Sequence, residues 1–244
     1  LFQIISFRLM NDLPTVITTN VSIDQMEPRI RSRLKTAGQI LHLNVPDYRT
    51  SEYLSATPQL NTLGAYHKLT FDSFDLRKNK VPREAHENLR RAKQMAMEYA
   101  DNPEGRWLVL TGMYGTGKTH LAAAIANAAS ERGRPTLFVV VPDLLDYLRA
   151  AFNPRGHVSY SDRFRQIRDV PLLVLDDLGT ESATPWSMEK LFQLINYRYV
   201  RKLPTVFTTA KELGDLNKRI TLRLMDTALS TVFTITAPPY LGGG

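Results

Sequence analysis

Residues 108–119, LVLTGMYGTGKT, run as an apolar segment that breaks into a glycine-rich turn closed by Lys-Thr. Gly112, Gly117, Lys118 and Thr119 meet the spacing of a phosphate-binding loop, with Gly115 as a further glycine inside it. Such glycines let successive backbone N–H groups turn toward an anion, and the helix that follows adds free N–H groups and its positive dipole end. Lys118 brings a mobile cation to the β and γ phosphates, and the Thr119 hydroxyl is placed to ligate Mg2+. The context fits. Residues 107–111 read as a buried strand, and Leu121, Ala122, Ile125 and Ala129 put an apolar stripe on a helix reaching about Arg132. An ordinary glycine turn would leave that strand-to-helix context unexplained.

Further apolar runs alternate with helical patterns. Residues 136–141, TLFVVV, and 171–175, PLLVL, look like parallel strands buried on both faces. Pro142 and Asp143 open a helix to about Phe152, and a second helix ends near Arg168. Alternation of this kind predicts an α/β sheet with right-handed crossover helices. The segment 172–179, LLVLDDLG, ends such a strand in two acids. Asp176 is placed to hold Mg2+, and Asp177, one residue on, to polarise the water that attacks the γ phosphate. Without a phosphate loop upstream the pair would read as plain loop acids.

The strand at 205–209 ends in hydroxyls that can orient that water, but the residue after it is Ala210, whose methyl cannot hydrogen-bond. Hydrolysis is then expected to be slow or to rely on Thr209. Arg219 and Arg223 lie between two core strands on a surface segment. A guanidinium offered from there to another subunit's γ phosphate is an arginine finger; a surface salt bridge or a DNA contact is the alternative.

The first 46 residues make sense only beside the last 54. Residues 1–20, LFQIISFRLMNDLPTVITTN, lie over 191–210, LFQLINYRYVRKLPTVFTTA, and RIRSRL from Arg29 lies over RITLRL from Arg219. Roughly 15 of the first 34 positions are identical at one constant offset, so the segment is a duplication. Each copy is expected to run helix, strand (15–19; 205–209), arginine-rich helix (Arg29/Arg33; Arg219/Arg223) and final strand (39–45; 231–237). The leading copy ends its threonine pair in Asn20 and has no phosphate loop before it. It reads as the tail of a similar module or as an extra copy docked elsewhere, and as the least stable part of the chain, because two parallel strands leave most apolar faces uncovered. Residues 1–11 look like a helix entered midway and Leu1 is not methionine, so the chain is expected to be a fragment or a processed form.

Residues 47–66 are polar and read as a linker ending in a small helix, the continuous module spans 67–239, and 240–244 form a tail. A helix is expected from about Pro82 to Tyr99. Its Arg83, Arg90, Arg91 and Lys93 make either a solvated face or phosphate contacts.

Charge and cysteine usage narrow the setting. The chain of 244 residues has a net charge of +7, which favours an anionic partner, nucleic acid first. It has no cysteine, so disulfides and thiolate zinc sites are excluded. No apolar run reaches a membrane span and no leader opens the sequence, so a cytoplasmic location is expected.

With loop, acid pair, threonine strand and arginine box in order, residues 67–239 resemble the AAA+ ATPases of the DnaC/DnaI helicase-loader and IstB transposition-helper group. TFDSF, GTGKTHLA, LLVLDDLGTE and the RxxxRL box carry the resemblance. It implies a P-loop three-layer sandwich with a five-stranded parallel sheet, the loop strand lying between the last two strands. It also implies ATP and Mg2+ at subunit interfaces of a homo-oligomer, action on DNA, single-stranded above all, and a replicative helicase or a transposase as protein partner. By position, Gly112, Gly115, Thr116, Gly117, Lys118, Thr119 and His120 look like the nucleotide binders, Asp176 and Asp177 the metal and water residues, and Arg223 the finger. Where relatives carry a pore-facing insertion, Arg155, His157, Tyr160, Arg163 and Arg165 become DNA candidates. The departures are Ala210, an Asp at 177 where many relatives have Glu, and the PPYLGGG that follows the last strand, in which no second sensor arginine can be named.

The leading expectation is an ATP-hydrolysing helicase loader, with a transposition helper beside it. A scaffold that switches oligomer state with ATP but barely hydrolyses it is a second class, motivated by Ala210. A small-molecule kinase would leave the arginine boxes and the duplication unexplained.

Overall fold

Strands apolar on both faces have to be covered from two sides, and in the computed structural model they are. It describes residues 2–19, 23, 26–37, 60–151, 160–182 and 184–240. The chain divides into two compact units, Leu1–Val45 and Pro46–Gly244. In chain order the smaller unit holds α1 (Phe2–Met10) and α2 (Pro28–Ala37). The larger holds α3 (Arg83–Asp101), β1 (Trp107–Thr111), α4 (Lys118–Glu131), β2 (Thr136–Val140), α5 (Val141–Ala150), α6 (Tyr160–Asp169), β3 (Leu172–Asp176), α7 (Pro185–Val200), β4 (Thr205–Thr209), α8 (Lys218–Leu224) and β5 (Ser230–Thr234).

The five strands form one parallel sheet in the order β2-β3-β4-β1-β5. Trp107 to Thr111 pair in register with Thr205 to Thr209 on one side and with Ser230 to Thr234 on the other. The loop strand therefore lies between the last two strands, as the resemblance implied, and residues of the trailing copy supply both its neighbours.

Alternation along each strand sorts the core into two layers. Leu108, Leu110, Phe138, Leu172, Val174 and Val206 face α3 and α4. Trp107, Val109, Val139, Leu173, Leu175 and Phe207 face α5, α6, α7 and α8. Each such side chain, taken wholly out of water, stabilises the fold by about 1.5–3 kcal/mol. Leu121 to Ala126 of α4 are buried without a break, because four alanines among them let α4 lie close to both the sheet and α3. The N-terminus of α7 is fixed by a capping box between Thr184 and Ser187, with proline in its first turn.

Arg198, on α7, is completely buried and held by four hydrogen bonds. Nε donates to Thr205 Oγ1 (2.9 Å), Nη1 to the carbonyls of Arg168 and Val170 (both 2.8 Å), and Nη2 to Pro204 O (2.6 Å). Burial pushes its pKa down to about 9, which leaves it charged at neutral pH. It joins the end of α7 to the entries of β3 and β4.

The module begins earlier than the sequence pattern implied. Asn61 receives Phe138 N–H and donates to Thr136 O, and Thr62 donates to Phe138 O, so these two side chains cover the free edge of β2. The short helix Thr62–Tyr66, expected at the end of the linker, is present and packs on the sheet as part of the module. Residues 47–59 lie outside the described part. Pro82 caps α3 instead of opening it, and the last strand stops at Thr234, three residues short of the expected end. Arg90 and Arg91 of α3 both pair with Glu87 on its solvated face.

In the smaller unit the strand expected at 15–19 is absent: residues 13–19 have no regular structure. A parallel strand needs partners for its backbone, and β4 obtains them from β1 and β3. The expected strand at 39–45 lies outside the described residues. Among the described residues no helix is long and apolar enough to cross a membrane.

Candidate functional site

Because β1, β3 and β4 are parallel neighbours, their C-terminal ends reach one edge of the sheet together, and the residues that follow form the site. After Thr111 the backbone turns through Gly112 at φ 137°, where an added Cβ would stand 2.4 Å from Ile235 O. Gly117 has φ 103°, and a Cβ there would stand 2.8 Å from the Phe74 ring. The turn is thus squeezed between the chain after β5 and the segment before α3, which only glycine permits. Thr116 is buried and donates its hydroxyl to Met113 O (2.9 Å), closing the loop on itself.

Lys118 opens α4. It is 4% exposed, and its Nζ donates to Gly112 O (2.8 Å) and Met113 O (2.7 Å). Burial lowers its pKa, with the charges of Asp177 and Asp176 opposing. Thr119 donates its hydroxyl to Asp176 Oδ1 (3.1 Å), and Thr208, on β4, donates to the same oxygen (2.6 Å). Burial pushes the Asp176 carboxyl above the usual carboxylate range, the Thr208 bond pulls it down, Asp177 raises it, and Thr119 and Lys118 lower it. Asp177 follows at φ 56°, a left-handed conformation that Asp tolerates, with its N–H held by Thr208 Oγ1 (2.9 Å).

The donor set suits a hard divalent cation. Thr119 hydroxyl and Asp176 carboxylate are oxygen ligands at one point, and among the described residues no cluster of three or more His, Cys, Asp or Glu forms an all-protein cage. Mg2+ is commonly held this way, by one or two protein oxygens, water and phosphate.

A cavity of about 520 Å3 lies over the loop, with Lys118, Thr119, Asp177, Phe74, Arg77 and Tyr240 in its lining. That size suits a small-molecule ligand. Two connections tie Arg77 and Tyr240 into this lining. Tyr240 N–H donates to Gly115 O (2.7 Å), and Arg77, 5% exposed, donates Nη1 to Pro238 O with its guanidinium 5.9 Å from the Tyr240 ring. His120 also lines the cavity, yet its Nε2 is engaged with Thr70 O (2.9 Å) and Ser73 Oγ (3.2 Å), so it pins the 70–74 segment over the loop.

Of the residues singled out from sequence, Gly115, Thr116, Gly117, Lys118, Thr119, His120 and Asp177 line this one cavity, and Gly112 and Asp176 are bonded to two of them, Lys118 and Thr119. Thr209 is engaged elsewhere: its buried hydroxyl donates to Leu178 O (2.7 Å) and accepts from Lys211 N (3.1 Å). The threonine that meets the acid is Thr208, which sequence reasoning passed over. Neighbours on a strand face opposite ways, and the pairing of β4 with β3 is what points Thr208 at Asp176.

Arg223 does not line the cavity. It lies along α7, with Nε and Nη2 on Asn196 Oδ1 (2.9 and 2.6 Å) and its guanidinium 4.7 Å from the Phe192 ring. Arg219 pairs with Glu189. Tyr160 stacks on Phe164, Arg163 lies over Tyr147 and donates to its carbonyl, and Arg165 pairs with Asp162. Arg155 and His157 lie outside the described residues.

The family model for IstB-like ATP binding protein matches residues 48–233. The replicative helicase loader DnaI of Bacillus subtilis (strain 168) is 30% identical over 124 residues, 50% of this chain and 39% of that protein. The replicative helicase loader DnaC of Escherichia coli (strain K12) is 30% identical over 138 residues, 57% of this chain and 55% of that protein. The chain thus spans about half the length, or less, of these curated relatives. A crystal structure of the DnaC helicase loader superposes with a TM-score of 0.59 at 23% identity, covering 70% of this chain and 99% of that one, which is a likeness of fold.

Proposed function

The chain belongs to the IstB-like ATP binding protein family of AAA+ ATPases, and we propose that its cavity takes ATP with Mg2+ and uses the bound state to load a replicative helicase on DNA. The observation that carries the reading is the junction of Thr119, Asp176 and Thr208 beside the amine of Lys118. Lys118 Nζ exchanges the carbonyls of Gly112 and Met113 for β and γ phosphate oxygens. Thr119 and Asp176 hold Mg2+, which when bound screens the phosphate charge. Asp177, its backbone fixed by Thr208, is the base that orients the attacking water.

The phosphates are fixed by the lysine and the acids, and the base of the nucleotide rests on the aromatic and cationic part of the lining, Phe74, Arg77 and Tyr240. Arg223 acts on a neighbouring subunit's nucleotide, so the working form is a homo-oligomer. Single-stranded DNA is the favoured nucleic acid, with Arg165 on the solvated face of α6 as its described contact. Tyr160 and Arg163 serve packing first. No side-chain polar group stands at Ala210, so turnover is slow.

A transposition helper is the second reading, favoured by the IstB-like description of the family. The helicase-loader relatives favour the first. Phosphate release with single-stranded DNA is abolished by Lys118→Ala. It is also lost in Arg223→Ala, and mixing the two inactive variants restores part of it, because one chain's lysine then meets another's arginine. No ATP binding by the wild-type chain overturns the reading. Capture with a replicative helicase or with a transposase decides between the two branches.

A further inference from the structure

No helix or strand forms between Tyr66 and Arg83, so the segment that brings Phe74 to the cavity is held by side chains and not by a ladder. Its turn is tied internally: Thr70 N–H donates to Ser73 Oγ (2.9 Å), Ser73 N–H to Thr70 Oγ1 (3.2 Å), and Ser73 Oγ to Lys68 O (2.8 Å). Two side chains of α4 attach this turn to the module. Asn127 Nδ2 donates to the carbonyls of Tyr66 and Leu69 (both 3.0 Å), and His120 Nε2 meets Thr70 O (2.9 Å) and Ser73 Oγ (3.2 Å). The two lie about two helical turns apart and so share one face of α4.

Farther along, His86 engages Leu76 O and Arg77 donates to Pro238 O. Among the described residues, His120 is the one side chain from outside residues 66–80 that hydrogen-bonds to anything in 70–75. A carbonyl can only accept, so Nε2 carries its hydrogen and spends it on the turn. The imidazole also meets Phe74 edge to face, with ring centroids 5.1 Å apart, and Phe74 is the ring that an added Cβ at Gly117 would strike. His120 thus joins the first turn of the glycine loop's helix to the ring that packs on the loop.

We propose that His120 is a positioning residue for nucleoside recognition, a role that rests on the nucleotide reading of this cavity. It holds Phe74 against the glycine loop and through Phe74 sets the affinity for base and sugar, while the triphosphate is left to Lys118 and Thr119. An imidazole that touched phosphate would have to give up Thr70 O and Ser73 Oγ, and the 70–75 segment would lose that tie.

Equilibrium titration of the chain with Mg2+ and either ATP or inorganic tripolyphosphate tests this. His120→Ala weakens ATP binding about tenfold, the order of one lost hydrogen bond, and leaves tripolyphosphate binding unchanged. In turnover the same variant raises KM for ATP with kcat near wild type. His120→Gln, whose amide offers an N–H at a similar reach, recovers most of the ATP affinity, which a role in packing alone would not give. Ser73→Ala weakens ATP binding by a smaller factor and also spares tripolyphosphate, and it decides the matter where His120→Ala does not fold. Equal losses for the two ligands put the imidazole on the phosphates and overturn the inference. An ATP affinity that is unchanged in both His120→Ala and Ser73→Ala, or that His120→Gln does not recover, overturns it as well. In each of these cases ATP binding by the wild-type chain leaves the Lys118 reading intact; a wild-type chain that binds neither ligand overturns that reading and this inference together.

Discussion

Thr208 donates its hydroxyl to Asp176 Oδ1 at 2.6 Å and accepts the backbone N–H of Asp177 at 2.9 Å, so one side chain of β4 fixes both acids at the end of β3. Its neighbour Thr209, equally buried, spends its hydroxyl on Leu178 O and Lys211 N.

The two threonines therefore separate when each is replaced by valine. Thr208→Val leaves a buried N–H and a carboxylate oxygen short of a partner, costing about 1–3 kcal/mol, and it lowers Mg2+-dependent ATP turnover. Thr209→Val costs a similar amount with turnover per folded molecule near wild type. Urea denaturation and phosphate release on both variants check this.

Gly112→Ala is expected to prevent stable folding, because its Cβ meets Ile235 O at 2.4 Å in a backbone conformation that L side chains avoid. Gly133→Ala is the control. It has φ 76° but nothing within 4 Å, so only the left-handed penalty of about 1–2 kcal/mol remains. Thermal melting distinguishes them.

Tyr240→Ala is expected to weaken ATP binding severalfold while leaving inorganic tripolyphosphate binding unchanged, since its side chain adds an aromatic surface to the cavity lining. Its backbone bond to Gly115 survives the change. Calorimetric titration with both ligands is the measurement, and equal losses for the two would remove Tyr240 from base recognition.

Arg198→Ala strands the carbonyls of Arg168, Val170 and Pro204 in the core and is expected to cost on the order of 3 kcal/mol or more. Arg8 is the corresponding residue of the leading copy, with exposed bonds to Thr15 Oγ1 and Pro14 O, and Arg8→Ala costs under about 1 kcal/mol. Chemical denaturation of the two variants reads the contrast.

Much of this was legible in the letters. Strands buried on both faces announce themselves as unbroken Val and Leu runs, and the loop and acid pair carry fixed spacings, so sheet class and phosphate end follow from local pattern. What was not legible depends on partners distant in sequence. Thr208 and Thr209 are chemically alike, and only the pairing of β4 with β3 selects one of them. The cavity lining brings Arg77 to Tyr240 from distant parts of the sequence, and neither belongs to a motif. Residues 15–19 carry nearly the same letters as β4 and yet form no strand, since pattern supplies propensity but not neighbours.

The central placement of β1 also sets a timetable. Thr111 leaves the ribosome long before Thr209 and Thr234, the last residues of the two strands that flank it. At about 5–20 residues per second, the glycine turn waits roughly 6–25 s during synthesis before its strand is walled in. A nascent chain that stalls within that interval has its lysine but not both of the strands that flank the glycine turn's own strand.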